Sequence, residues 1–168
     1  HHRAACRADV AGALRALRGA RAHRVVSKRR EIRARRLVGG DVRGAAAVLQ
    51  APLSLWGGFD PASGRIVDVH HPQHDVRIAG RIVVMPGGRG SSSSASVLLE
   101  SVRLRQHPLA LVLGEPDPVL VIGALVAADL YGFAVPVVQV DADALEALPD
   151  GAMMRVEAGE RAAKIIIG

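Results

Sequence analysis

The chain has 168 residues, 49% apolar but only 2% aromatic, so Val, Leu, Ile and Ala must build the core of one domain with at most an appendage. A lone cysteine, Cys6, excludes an intrachain disulfide and any zinc or iron–sulfur site made from this chain's cysteines alone, and no apolar run reaches the length of a membrane span. The net charge of +6 is uneven: residues 1–44 hold 13 Lys and Arg against Asp9, Glu31 and Asp41, and the remainder is net acidic.

A basic arm of this kind could hold nucleic acid. No aromatic is interleaved with its charges for base stacking, so nucleic acid is not the expected partner. Residues 8–22 predict a helix with Asp9 as cap and Val10, Leu14 and Leu17 on one face. Residues 23–36 are basic and read as an irregular linker. The chain therefore divides into a basic extension or linker, partly helical, over 1–35, and a main domain over 36–168. Without an apolar leader, a cytoplasmic location is expected.

Regular structure resumes at Arg36-Leu37-Val38, and after Gly39-Gly40 and Gly44 a short strand is expected over 46–49. The only Trp, Trp56, stands beside Gly57 and Gly58, ahead of an Asp60-Pro61 turn. This pattern fits either a core-filling Trp or a substrate-facing loop in which glycine lets the backbone come close. Residues 65–69 alternate and predict a strand. His70-His71-Pro72-Gln73-His74-Asp75 follows. Pro72 breaks the helix that would align His70 with His74, so these histidines are expected to shape a turn or touch substrate rather than hold a metal.

Residues 79–85 predict a strand that leads into Pro86-Gly87-Gly88-Arg89-Gly90-Ser91-Ser92-Ser93-Ser94-Ala95-Ser96, and a helix to about Leu104 comes after it. Glycines release the turn from Cβ constraints, and serines suit a helix start. The first N–H groups of the helix, with Arg89, make a site for a phosphate or carboxylate. The spacing matches neither a Walker A loop nor the dinucleotide fingerprint. A buried strand over 109–113 precedes Asp117-Pro118, a cap with Pro at the first helical position, and that helix ends at Gly132. Residues 135–140 predict a strand that Pro136 makes an edge or delays in pairing. A short helix over 141–148 and strands over 153–156 and 163–167 close the domain. Strands and turns early, then strand–helix alternation, predict an α/β fold: a barrel-like or two-layer sheet with helices packed outside.

Together, Ser54-Leu55-Trp56-Gly57-Gly58-Phe59-Asp60-Pro61, Gly64-Arg65-Ile66-Val67-Asp68, His70-His71-Pro72 and Gly88-Arg89-Gly90-Ser91-Ser92-Ser93 resemble the small subunit, or swivelling domain, of the aconitase X family. Gly123-Ala124-Leu125-Val126-Ala127-Ala128 and Val135-Pro136-Val137 also fit, and the resemblance covers about residues 36–157. It implies a swivelling β/β/α domain that closes over a large subunit or domain carrying an iron–sulfur cluster, with no cofactor on this chain. The activity implied is that of a hydro-lyase dehydrating a small anionic hydroxy acid, cis-3-hydroxy-L-proline or mevalonate 5-phosphate. Matched to the superfamily's Gly-Ser-Ser turn, Gly90-Ser91-Ser92 makes Ser91 the catalytic base and Ser92 its neighbouring donor. Arg89, Gly90, Ser93, Trp56, Gly57, Gly58 and His71 become the substrate-binding set. Leu55 stands where the family has Phe, and Asp75 where it has Gly. The competing expectation from the same loop is a non-catalytic phosphate- or anion-binding module.

Overall fold

The computed structural model describes residues 29–168. The expected 8–22 helix and Cys6 lie outside the described residues. Among the described residues nine strands and three regular helices follow, besides a kinked helical turn at Leu55–Gly58: β1 Arg30–Val38, β2 Gly40–Val48, β3 Phe59–Asp60, β4 Arg65–Ile66, β5 Ile82–Met85, α1 Ser94–Arg103, β6 Ala110–Leu113, α2 Pro118–Tyr131, β7 Val137–Gln139, α3 Ala142–Glu146, β8 Met153–Ala158 and β9 Ala163–Ile167. Among the described residues no helix is long and apolar enough to cross a membrane.

Seven strands close a barrel in the order β1-β7-β6-β5-β2-β8-β9, and β3 and β4 form a separate small ribbon. One half of the barrel is parallel, with β2, β5, β6 and β7 side by side. The other half is antiparallel: β9 joins β1 to β8, and β8 joins β9 to β2. Strand alternation sorts the side chains. Ile82, Val84, Ala110, Val112, Val138, Met154, Val156 and Ile165 fill the barrel. Val83, Met85, Leu111, Leu113 and Val137 face outward and pack with Leu98 and Val102 of α1 and Leu120, Ala124 and Ala127 of α2. The parallel strands are buried on both faces, which is why they read as continuous apolar runs. The α/β barrel with outer helices expected from the sequence is the fold observed.

Four local expectations are corrected. The basic stretch read as irregular over 23–36 is strand from Arg30 onward, so residues 30–35 lie in the barrel. Its charged side chains alternate with the half-buried Ala34 and buried Ile32, a pattern that the density of Arg masked. The short strand expected over 46–49 is β2, nine residues long from Gly40. Its glycines are not breakers: a Cβ on Gly44 would meet Leu109, and one on Gly40 would lie 2.9 Å from Pro136. The strand expected over 65–69 stops at Ile66, because Val67 and Asp68 turn their N–H groups to the Gly58 carbonyl instead of a strand partner. Of the two expectations for Pro136, the edge is not observed and the delay in pairing is. β7 lies between β1 and β6, starting one residue after the proline, whose carbonyl accepts from Leu111 N.

The helix signals hold. The Asp117 carboxylate accepts from Val119 N at 2.8 Å and Leu120 N at 3.3 Å, Pro118 opens α2, and Gly132 closes it at φ 68°. The Asp141 carboxylate caps α3 through Ala144 N. Gly123 of α2 sits against Ala95 of α1, where a Cβ would come within 3.0 Å of the facing Cα.

Candidate functional site

The C-terminal ends of β2, β5, β6 and β7 open onto one rim of the barrel, and the segment after β5 carries the glycine–serine stretch. Packing fixes this loop from two sides. Gly88 makes a parallel bridge with Leu53, and Arg89 N donates to the Leu53 carbonyl at 3.4 Å. On the other side a Cβ at Gly88 would overlap the carboxylate of Asp117, the cap of α2. Gly90 adopts φ 104°, a region that favours glycine, with Ser54 Oγ 2.9 Å from where its Cβ would stand.

The serines separate into distinct roles. Ser93 is the N-cap of α1 but makes no side-chain cap bond. Ser91 Oγ, half-buried, instead accepts the Ser93 N–H at 3.1 Å. Ser94 is buried, and its Oγ accepts the Trp56 N–H at 3.3 Å. Ser92 is exposed. Among the described residues the N–H groups of Gly90, Ser91 and Ser92 donate no hydrogen bond, so they stay free at the mouth of the loop.

Trp56 is not core. The residue is 59% exposed, while its backbone is tied at both ends: N–H to Ser94 Oγ, and carbonyl to the Ser54 hydroxyl at 2.9 Å. Trp56 (φ −71°, ψ 115°) and Gly57 (φ 74°, ψ −10°) form the centre of a type II turn, which explains a glycine at that position. Gly58 is buried, with Leu53 3.2 Å from where a Cβ would be.

His71 is turned inward. Its Nδ1 accepts from Gln73 N at 3.1 Å, which leaves Nε2–H to donate to the Ala51 carbonyl at 3.3 Å. Both ring nitrogens are thus engaged inside the chain, and His71 fastens the 70–74 turn to the segment leaving β2 instead of facing the loop mouth. Gln73 completes the clamp: its side-chain carbonyl accepts from Gln50 N, and its amide donates to Val48 O. His70 and His74 are exposed. Asp75 adopts φ 64°, the left-handed region that favours glycine, and its carboxylate pairs with Arg65 at 3.4 Å.

Arg89 extends from the loop with its side chain 67% exposed, and its Nη2 lies 3.7 Å from Asp68 Oδ2, whose side chain is 21% exposed. The structure therefore gathers Arg89, Gly90, Ser91, Ser92, Ser93 and the Trp56–Gly58 turn and leaves out His71. Sequence reading missed Ser54, Ser94, Asp68 and Asp117 as parts of this assembly. For Asp68 a signal was present: an acid at the inward position of an alternating stretch. For the serines there was none, since their partners are distant in sequence.

The arrangement can hold an anion against the N–H groups of Gly90, Ser91 and Ser92 and a guanidinium, whereas the first N–H groups of α1 are spent inside the chain, Ser94 N on Ser91 O and Ala95 N on Ser92 O. It also supplies a hydroxyl whose oxygen already has an N–H donor.

Comparison with known proteins shows the family to which the chain belongs. Residues 31–165 match the family model described as the aconitase X swivel domain. The chain is 43% identical over 103 residues to cis-3-hydroxy-L-proline dehydratase of Pseudomonas aeruginosa, covering 61% of this chain but 18% of that protein. It is 32% identical over 125 residues to the phosphomevalonate dehydratase small subunit of Methanothermobacter thermautotrophicus, covering 69% of this chain and 95% of that one. The crystal structure of Thermococcus kodakaraensis aconitase X in its holo form superposes with a TM-score of 0.74 at 28% identity, over 83% of this chain and 98% of that chain.

Proposed function

The chain belongs to the aconitase X swivel-domain family, and from that premise we propose that it is the swivelling part of a hydro-lyase, closing over a large subunit or domain to complete the active site. Residues from Arg30 onward form the swivelling unit, and the basic segment before them is an appendage to it. Cys6 is the lone cysteine of this sequence, too few thiolates for a cluster, so the iron–sulfur cluster of such an enzyme is assigned to the partner's residues. The reducing cytoplasm suits such an assembly.

The observation that carries the reading is the state of Ser91. Dehydration of a 3-hydroxy acid starts with loss of the proton beside the carboxylate. Ser91 Oγ, as the alkoxide, takes that proton to become the hydroxyl, and the 3-hydroxyl leaves as hydroxide, for which the partner's cluster would supply the Lewis acid. A serine hydroxyl is a weak base at its free pKa, and the Ser93 N–H at 3.1 Å lowers the cost of charge on that oxygen. The free N–H groups of Gly90, Ser91 and Ser92, with Arg89, hold the substrate carboxylate, whose charge grows as the proton leaves. Ser92 adds a hydroxyl donor. The Trp56 indole, on its clamped turn at Gly57 and Gly58, forms an apolar wall. The higher identity to the Pseudomonas enzyme favours cis-3-hydroxy-L-proline over mevalonate 5-phosphate as substrate.

The test is to co-express the chain with an aconitase X-type large partner and assay both substrates with wild-type and Ser91→Ala chains. We expect Ser91→Ala to lower kcat by about 10²–10⁴-fold. It should also cost about 0.5–1.5 kcal/mol of stability, because the bond to Ser93 N is lost. Normal turnover in Ser91→Ala would overturn the assignment. Tight phosphate binding by the chain alone, with no turnover in the assembly, would support the anion-binding module instead.

A further inference from the structure

Asp68 inverts the pattern of its segment. Ile66 is fully buried and ends its strand, and the Asp68 side chain two residues on is only 21% exposed. Yet the inward residue is an acid, while Val67 and Val69 on either side are 42% and 71% exposed. A fold that exposes two valines to turn a carboxylate inward breaks a local rule, and such breaks concentrate at functional positions.

The carboxylate is held from several directions. Oδ1 accepts the His70 N–H at 2.9 Å. The Asp68 carbonyl accepts from His71 N at 3.1 Å, its own N–H points at the Gly58 carbonyl at 3.4 Å, and its Cβ packs near Gly58. His71 is itself anchored on Ala51 and Gln73. Oδ2 remains, and it faces Arg89 Nη2 at 3.7 Å. One partner is a fixed anchor and the other a long, exposed arm.

Such a pair contributes little to stability, since ion pairs with an exposed member are worth about 0–1 kcal/mol. Its effect is on orientation. A guanidinium carries five donors in a planar fork, so one edge can rest on Asp68 while the other receives an anion. We propose that Asp68 is a positioning residue: it holds the Arg89 guanidinium over the loop mouth so that the Ser91 loop receives the substrate carboxylate in register. This rests on the reading of the loop as the hydro-lyase's serine site. Asp68 acts through Arg89 and touches no reacting atom.

The experiment is a double-mutant cycle in the assembled enzyme with cis-3-hydroxy-L-proline, using Asp68→Asn, Arg89→Gln and the pair, with Ser91→Ala alongside. Asp68→Asn keeps an acceptor for His70 N–H and loses only the charge facing Arg89. We expect it to lower kcat/KM by about tenfold, mostly through KM, and to have no further effect once Arg89 is Gln. An Asp68 that merely braced the turn would multiply its loss onto Arg89→Gln and lower the melting temperature in parallel, and either that result or an unchanged kcat/KM overturns the proposal. If Asp68→Asn fails to assemble, Asp68→Ser replaces it in the same cycle. A Ser91→Ala variant with full activity would instead bring down the underlying reading, so the two failures are told apart.

Discussion

The parallel and antiparallel halves of the barrel are held together differently. In the parallel half, β5 and β6 are buried on both faces, helices cover the outside, and the loops at the strand ends are fixed by close approach: Gly88 on Asp117, Gly90 on Ser54, Gly123 on Ala95. In the antiparallel half the outer face is charged. A ladder runs across four strands, Glu31 to Lys164 (3.2 Å), Lys164 to Glu157 (3.5 Å), Glu157 to Arg155 (3.2 Å) and Arg155 to Asp41 (2.5 Å). The contrast teaches where each kind of change is tolerated. Steric positions carry the candidate site, where an added methyl must displace a neighbouring group. The ladder is exposed, redundant and screened by solvent.

The largest break in that contrast is Gly88→Ala. The new methyl must displace the Asp117 carboxylate, and overpacking of this kind costs about 1–3 kcal/mol. Denaturant unfolding of the chain should show the loss, and Asp117→Ala should suppress much of it by vacating the space. Equal stability of Gly88→Ala and wild type would mean that the loop is looser than the geometry indicates.

A smaller effect tests the helical side. Among the described residues His107 Nδ1 is buried without a partner, and its ring stacks edge-on to Phe133 at 5.9 Å between centroids. Burial, with a smaller push from the Arg105 cation, holds its pKa below the ordinary value. The unfolded chain therefore takes up a proton that the folded chain refuses. This contribution to stability is complete above about pH 6.5 and drains as pH falls toward the lowered folded pKa. Melting temperature should fall over that window, and His107→Gln should flatten the fall. An unchanged slope would assign the acid sensitivity elsewhere.

The smallest effect is expected on the ladder. Hydrogen bonding from Arg155 holds the Asp41 carboxyl below the usual carboxylate range, so its contribution is present above that range and lost in acid as pH passes through the lowered value. Arg155→Ala should lower the melting temperature slightly at low salt and not measurably at high salt. A large loss at both would place the ladder on the same footing as the packed half.

What the sequence by itself determined was local or modular. Asp117-Pro118 and Gly132 bound α2 through caps that need only neighbouring residues, and Asp141 does the same for α3. The apolar runs at 82–85 and 110–113 declared strands buried on both faces. The order of the glycine, serine and histidine motifs identified the family before any coordinate. Only the tertiary structure decided the rest, because it depends on partners far along the chain. β1 is strand because β7 and β9 flank it, although its own Arg-rich sequence reads as linker. The glycines of β2 are close approaches only once Leu109 and Pro136 are present. His71 spends both ring nitrogens inside the chain only because Ala51 and Gln73 lie against it. Asp68 meets Arg89 only after two turns have brought residues 21 apart in sequence to one rim, and no periodicity within either segment encodes that distance.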